Sequence, residues 1–373
     1  MLPAPPHDAL LVLADGSVFP ARAVAPGTRF GEVVFHTAMS GYQEILTDPA
    51  TAGQIVVMTQ PHLGNYGVSA SWAESDRPRA AGVVARQFTP EPANRAAEGG
   101  LRGYLRAHRV PAVEGLDIRA VVRRLRGHGE MRGVLTTERS DAAALRAEVR
   151  DLPSATGEAP ALEAGCRRAG QWPAATPDGP RWRLALYDFG VARSTLRAFA
   201  ERGAELVLLP ALTPAREALA LGADGIVLSH GPGDPAPLAA SVETVRELLA
   251  SGTPLFGIGL GHLLLGLALG ARGFRLGGGH HGANQPVFDR LARRVAITSQ
   301  NHAFALVPES LPAGCEAVEV NLNDGSVEGF MVTGRPVFAI QYQPGVAFGP
   351  HPAGGLFGRF LAALPERGAS GRA

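Results

Sequence analysis

The chain has 373 residues, 46% hydrophobic and 18% charged, with a formal net charge of +1. That length fits two domains better than one, and the balance excludes an intrinsically disordered chain. The near-neutral charge gives no bulk electrostatic case for nucleic acid or an acidic membrane. All 35 basic residues are arginine, which beside 47 Gly and 30 Pro reads as compositional bias, not as guanidinium chemistry. The two cysteines, Cys166 and Cys315, form neither a metal-ligand spacing nor a disulfide framework, which fits a reducing cytoplasm. Residues 1–6 lack the basic and apolar parts of a signal peptide. The most apolar run, 255–271, is broken by glycines and His262 and reads as strand, turn and helix, not as a membrane span.

In chain order, residues 9–24 alternate as a hairpin with Asp15-Gly16 at its turn. Strand patterns follow at 32–36, 54–59 and 82–86, and helical patterns at 94–108 and 117–127, the second opened by Asp117 as N-cap. This predicts an α+β domain over residues 1–150. Residues 151–181, rich in Pro, Ala, Gly and Glu, read as a linker. From Arg183 the pattern becomes strand–helix alternation. Strands are expected at 184–188, 206–209, 225–229 and 254–258, and helices at 193–202, 214–221 and 239–251. That is a parallel α/β sheet in a domain over residues 182–366. After Arg272 shorter, antiparallel runs are expected, and residues 367–373 read as a frayed tail.

The strongest local signal is Gly257-Ile258-Gly259-Leu260-Gly261-His262, between an apolar strand and an apolar helix. Its flanking glycines match a nucleophile elbow, in which a strand reverses sharply into a helix and thrusts the central side chain out at the sheet's carboxyl edge. Small flanking residues let the backbones approach, and the helix N-terminus offers N–H groups to a developing oxyanion. The central residue here is Gly259, so the turn is kept and the nucleophile is absent. A second loop, His230-Gly231-Pro232-Gly233-Asp234-Pro235, follows the strand at 225–229. Loops at the carboxyl ends of neighbouring strands are where α/β proteins bind ligands.

Together these loops resemble the class I, or triad, glutamine amidotransferases. Matching strings continue at 187–190 (YDFG), 279–287, 298–304, 320–329 and 341–345, the last resembling the family's Q-Y-H-P-E. In the N-terminal part, SGYQEILTDP at 40–49, QPHLGNYG at 60–67 and GLDIR at 115–119 are similar to the small subunit of carbamoyl-phosphate synthase. The resemblance implies a fold of an N-terminal α+β small-subunit domain followed by a parallel-sheet amidotransferase domain. It also implies a large synthetase subunit as partner, which makes carbamoyl phosphate for arginine and pyrimidine biosynthesis from bicarbonate, ATP and nitrogen. ATP and magnesium belong to that partner, so no cofactor is expected in this chain.

The family reaction needs a thiolate nucleophile, a His that moves the proton and a Glu that orients the His. The matching positions are Gly259, Gln343 and Gly345, and none can supply its role. By the same resemblance the glutamine-binding positions are Ala50, Gly231, Gly233, Leu260, Leu263, Asn301, Ala303 and Phe304. Leu263 stands for a Gln, Ala50 for a Ser and Ala303 for a Gly. A subunit that no longer hydrolyses glutamine is therefore expected, with glutamine binding itself in question. The alternatives are an active subunit working by another mechanism and a purely regulatory or interacting protein. As replacement nucleophiles, Cys166 reads as a bystander thiol, Cys315 as a core cysteine, and Ser229 and Ser299 as loop-bonding groups. His262 reads as a structural hydrogen-bonder. His280-His281 lacks a third ligand at useful spacing, and no metal is expected.

Overall fold

The structure is a computed structural model that describes residues 7–152, 159–176, 181–345 and 354–365. The chain forms two compact units, residues 1–156 with 277–283, and residues 157–276 with 284–373. The tail at 367–373 lies outside the described residues.

The first unit is built on a closed seven-stranded barrel. The hairpin forms as its pattern predicts: Ala9–Leu13 pairs antiparallel with Val18–Ala25, and Gly16, at φ 84°, takes the left-handed turn position. Asp15 Oδ1 accepts the Ser17 N–H at 2.8 Å and closes the turn. The strands Thr28–His36, Gln54–Met58, Gly82–Ala85 and Ala112–Glu114 run parallel to one another, and Met131–Thr136 closes the ring against both Thr28–His36 and Ala9–Leu13. Inward residues Leu11, Val33, Val57, Val84, Val113 and Leu135 are wholly buried and fill the barrel. Asp117 caps the helix Ile118–His128 as expected, accepting the Ala120 N–H at 3.0 Å. The earlier helix is shorter than its pattern. It spans Leu101–Ala107, because Gly99-Gly100 interrupts the run that begins at 94.

Residues 277–283 join this unit through His281. Its carbonyl accepts from Thr37 N at 3.1 Å and Thr37 Oγ1 at 3.2 Å. Its Nε2 is hydrogen-bonded to Glu130 Oε1, both side chains being almost wholly buried. His281 is thus committed to a structural bond.

The strings at 40–49 and 60–67 make one bonded assembly. Tyr42 stacks on Tyr66, ring centroids 4.2 Å apart, and the Tyr66 hydroxyl accepts the N–H groups of Gly41 and Tyr42 at 2.6 and 3.1 Å. Gln43 pairs with Ser69 as a strand would, donating to its carbonyl at 2.8 Å and accepting its N–H at 2.9 Å. Residues 41–50 are buried throughout, so these residues act as framework and not as a surface loop.

The second unit holds a ten-stranded sheet. Its parallel part sets Ala204–Pro210, Trp182–Asp188, Gly225–Leu228, Leu255–Ile258 and Val337–Ile340 side by side, as the strand–helix alternation requires. The segment 151–181, read as a linker, contains a one-turn helix Ala161–Ala164 and a strand Gly170–Trp172 that pairs antiparallel with Ala204–Pro210 at the sheet edge. After residue 272 the strands pair antiparallel as expected up to the last, Val337–Ile340, which is antiparallel to Val327–Val332 and parallel to Leu255–Ile258. Two of them are longer than expected, Gly273–Asp289 and Arg294–Leu306 at 17 and 13 residues, while Val327–Val332 and Val337–Ile340 are short at 6 and 4. Glycines at 277–279 dilute the alternation that would have revealed the first of them.

Candidate functional site

Three neighbouring strands, Gly225–Leu228, Leu255–Ile258 and Val337–Ile340, end together and present their following loops at one edge. At the middle strand the chain reverses through Gly259 into the helix Leu260–Leu269. Gly259 sits at φ 57°, ψ −110°, a conformation L side chains rarely adopt. Its N–H donates to Ile340 O at 2.8 Å and its carbonyl accepts from Leu263 N at 3.2 Å, so both sides of the turn are pinned. The flanking glycines are dictated by space. A Cβ on Gly257 would lie 2.6 Å from Gly261 O, and one on Gly261 would lie 2.2 Å from Leu228 O. The turn has the tight strand-to-helix geometry expected of an elbow, with glycine at its centre.

The loop of the first strand is tied by Ser229 to the neighbouring turn at 188–191, which Asp188 holds in shape. Ser229 Oγ accepts the Phe189 N–H at 2.9 Å and donates to His230 O at 2.8 Å. Asp188 accepts the N–H groups of Gly190, Val191 and Cys166 at 2.8–2.9 Å. A Cβ on Gly231 would meet Phe189 O at 2.3 Å, and Gly233 stands at φ 93°. His230, which the sequence reading passed over, is the nearest neighbour of the empty position: a Cβ on Gly259 would lie 2.8 Å from His230 Cβ. His230 is 2% exposed, and its Nε2 accepts the Ala192 N–H at 3.0 Å. Burial pushes its pKa down to about 4, against a smaller opposing pull from Asp188. The ring is therefore neutral with its hydrogen on Nδ1, and its lone pair is already used. The signal available beforehand was a histidine directly before Gly231.

After the third strand come Gln341, Tyr342, Gln343 and Gly345. Gln343 is 5% exposed, and its backbone N–H donates to Ser299 O at 2.9 Å. A Cβ on Gly345 would lie 3.1 Å from Ser194 O, at the start of the helix Arg193–Ala200. His262 is fully buried, and its Nδ1 is 2.8 Å from Gln341 Oε1. Burial lowers its pKa to about 3, so it is a neutral tie between the elbow helix and the segment that follows the third strand. Leu260 and Leu263 are 3% and 2% exposed and belong to the apolar core. Leu263 thus offers packing and no polar group. Asn301, Ala303 and Phe304 lie half-buried on the strand Arg294–Leu306, with the Arg275 guanidinium 5.7 Å from the Phe304 ring centre. Ala50 belongs to the first unit, 3% exposed in the turn Pro49–Thr51, where its N–H donates to Asp48 Oδ1 at 2.9 Å.

Neither cysteine is armed. Cys166 is half-buried beside Asp188. Burial, then the Asp188 charge and its hydrogen bond, push the thiol up to about 12. Burial raises Cys315 as well. Two of the matching strings, 298–304 and 320–329, meet in a polar network. Gln300 Nε2 donates to Thr298 Oγ1 at 3.0 Å and to Glu328 Oε2 at 2.9 Å, and Asn321 Nδ2 donates to Glu328 Oε1 at 3.1 Å.

Comparison with known proteins matches residues 11–135 to the carbamoyl-phosphate synthase small chain CPSase domain and residues 185–363 to glutamine amidotransferase class I. A carbamoyl phosphate synthase small chain from Thermosynechococcus vestitus is 46% identical, covering 96% of this chain and 97% of that one. The small chain from Ralstonia nicotianae is 42% identical, covering 98% and 100%. Among solved structures, a glutamine amidotransferase from Thermotoga maritima is similar at a TM-score of 0.36 and 19% identity, covering 44% of this chain and 77% of that one.

Proposed function

The chain belongs to the carbamoyl-phosphate synthase small-chain family, and within it we propose a subunit that has ceased to hydrolyse glutamine and supports ammonia-dependent synthesis by a large-subunit partner. The observation that carries this reading is Gly259: the elbow keeps its bonds and its positive φ, and the position of the nucleophile holds a hydrogen atom. Hydrolysis of a carboxamide needs a nucleophile, a base to take its proton and an acid to return that proton to leaving ammonia. The carboxamide of Gln343 exchanges no proton near neutral pH, and Gly345 cannot orient a base. The two histidines nearest the elbow are buried and neutral, and each spends a ring nitrogen on a structural bond. In a serine protease the loss of one triad member costs roughly a millionfold, and here all three roles are vacant. Leu263, in the core, also withdraws a substrate contact.

The test is glutamate release by the purified chain, alone and with the large subunit, beside carbamoyl-phosphate synthesis fed by glutamine or by ammonium. Synthesis from ammonium with none from glutamine is the expected result. Steady glutamate release that follows the chain through a further purification step would overturn the reading.

A further inference from the structure

Four neighbouring strands of the second unit set one row of residues side by side. Asp289 on Gly273–Asp289 pairs with Glu319 on Cys315–Asn321, Glu319 pairs with Gly329 on Val327–Val332, and Gly329 pairs with Ile340 on Val337–Ile340. The glycine in the row makes room for its neighbour: a Cβ on Gly329 would lie 2.9 Å from Glu319 Oε2 and 3.1 Å from Glu319 Cβ. The Glu319 side chain therefore lies over Gly329, and its carboxyl is hydrogen-bonded to the Tyr342 hydroxyl, two residues beyond Ile340. It crosses one strand to hold the segment that follows the next.

That segment, Gln341-Tyr342-Gln343, is buried at 2%, 4% and 5% exposure. It is also held by the Gln341 N–H, which donates to Glu328 O at 2.7 Å, and by the Gln343 N–H, which donates to Ser299 O at 2.9 Å. The His262 ring joins it at Gln341 Oε1. Among these ties the Glu319 carboxyl is the one badly placed for a charge. It is 4% exposed, and its Oε2 has no hydrogen-bond partner among the described residues. Burial pushes the carboxyl up to about 8. The Tyr342 bond and the exposed Arg359, on the helix Gly354–Ala362, oppose this, and the charges of Asp289 and Glu328 add to it. The other titratable side chains touching the segment stay neutral near pH 7, since burial lowers His262 to about 3 and raises Tyr342 well above its ordinary range.

We propose that Glu319 is a proton-dependent strut: its neutral carboxyl keeps the segment 341–343 seated, and its ionised carboxyl is solvated by local opening of that segment. The strut is set by these bonds and stands whether or not glutamine is hydrolysed. The sign follows from linkage. A carboxyl raised above its ordinary value of 4.5 favours the closed segment fully below that value, and the advantage is lost as pH rises through 8. The opening constant is expected to climb roughly 50-fold between pH 6 and pH 8 and to level off above that.

The experiment is hydrogen exchange on the full chain at pH 6, 7, 8 and 9, each rate divided by the intrinsic rate at that pH. It follows the amides of Gln341 and Gln343 beside those of the central strand Gly225–Leu228. The 341–343 amides are expected to be less protected than the central strand, with protection falling roughly 50-fold from pH 6 to pH 8. In Glu319→Gln, shown to be folded by a thermal melt, the protection is expected to be flat with pH. Equal protection of the two regions at every pH would mean that the segment opens only with the whole unit, and would overturn the strut. A flat profile in wild type would overturn it as well, and decides the matter even where Glu319→Gln does not fold. A slope that persists in the folded variant would assign the titration to another group and remove Glu319 from the role.

Discussion

The elbow at Gly259 and the assembly at 40–69 both carry strings that match the family, yet they hold their shape by opposite means. The elbow is maintained by backbone: Gly259 bonds Ile340 and Leu263 through its peptide groups, and the close approaches at Gly257 and Gly261 require the absence of side chains. The assembly at 40–69 is maintained by side chains, with Gln43, Tyr42, Tyr66 and Thr47 each bonded to a peptide group of the chain. On the proposed reading, a side chain can vanish from the first while the backbone bonds that shape the turn persist. A side chain cannot vanish from the second without stranding a buried peptide group.

The contrast is broken most forcefully at Gln43. Gln43→Leu leaves the N–H and the carbonyl of Ser69 without their partner, and should lower stability by about 4 kcal/mol, read as a fall in the urea midpoint. A loss below about 1 kcal/mol would show that water replaces the side chain, and would erase the distinction drawn here.

A second measurement separates the two units by pH. Buried His36 in the first unit, and His230 and His262 in the second, have pKa values lowered to about 3, 4 and 3. Their contributions are complete above the unfolded value of about 6.5 and are lost as pH falls toward those folded values. Glu319, in the second unit, has the opposite sign. Burial, with Asp289 and Glu328 adding to it, raises its carboxyl to about 8, against its bond to Tyr342 and the pull of Arg359. It favours the folded state in acid, and that advantage is lost as pH rises through 8. Between pH 6.5 and 8 the histidines have finished titrating. The second unit should then lose about 2 kcal/mol while the first stays level, as followed by hydrogen exchange on separate segments. Glu319→Gln should abolish the slope. A slope that survives this substitution would place its origin elsewhere.

The smallest expected effect is at the elbow itself. Gly259→Cys puts a Cβ at positive φ and 2.8 Å from His230 Cβ, a cost of about 1.5 kcal/mol. It should release no glutamate. Adding Gln343→His, Gly345→Glu, Leu263→Gln and Ala50→Ser should restore measurable release, because groups that act as a unit are strongly non-additive. Equal activity from the single and the fivefold variant would mean that a base is already present, and the site would not be dismantled.

What could be read from the sequence divides along a similar line. Parallel strands, the elbow and the Asp117 cap are written in local pattern, and the structure has them where the pattern puts them. Barrel closure is not local: Met131–Thr136 pairs with Ala9–Leu13 and Thr28–His36, both far earlier in the chain. The strand Gly170–Trp172 is three residues long and owes its existence to the edge it pairs with. His230 was missed for a related reason. Its place depends on the Ala192 N–H, far off in sequence, and on an elbow neighbour with no side chain to keep it away.

The contact between Gly259 and His230 also bears on history. On the proposed reading, trading a nucleophile for glycine relieves a strained turn, and His230 Cβ now lies 2.8 Å from where a Cβ on Gly259 would stand. Reversion by a single codon then meets a crowded site and a neighbour whose lone pair is already engaged, so the first step back carries a cost and no activity. On the proposed reading the loss acts as a ratchet: once the nucleophile is gone, selection no longer holds the other positions proposed for the site, and the route home lengthens while the scaffold stays intact.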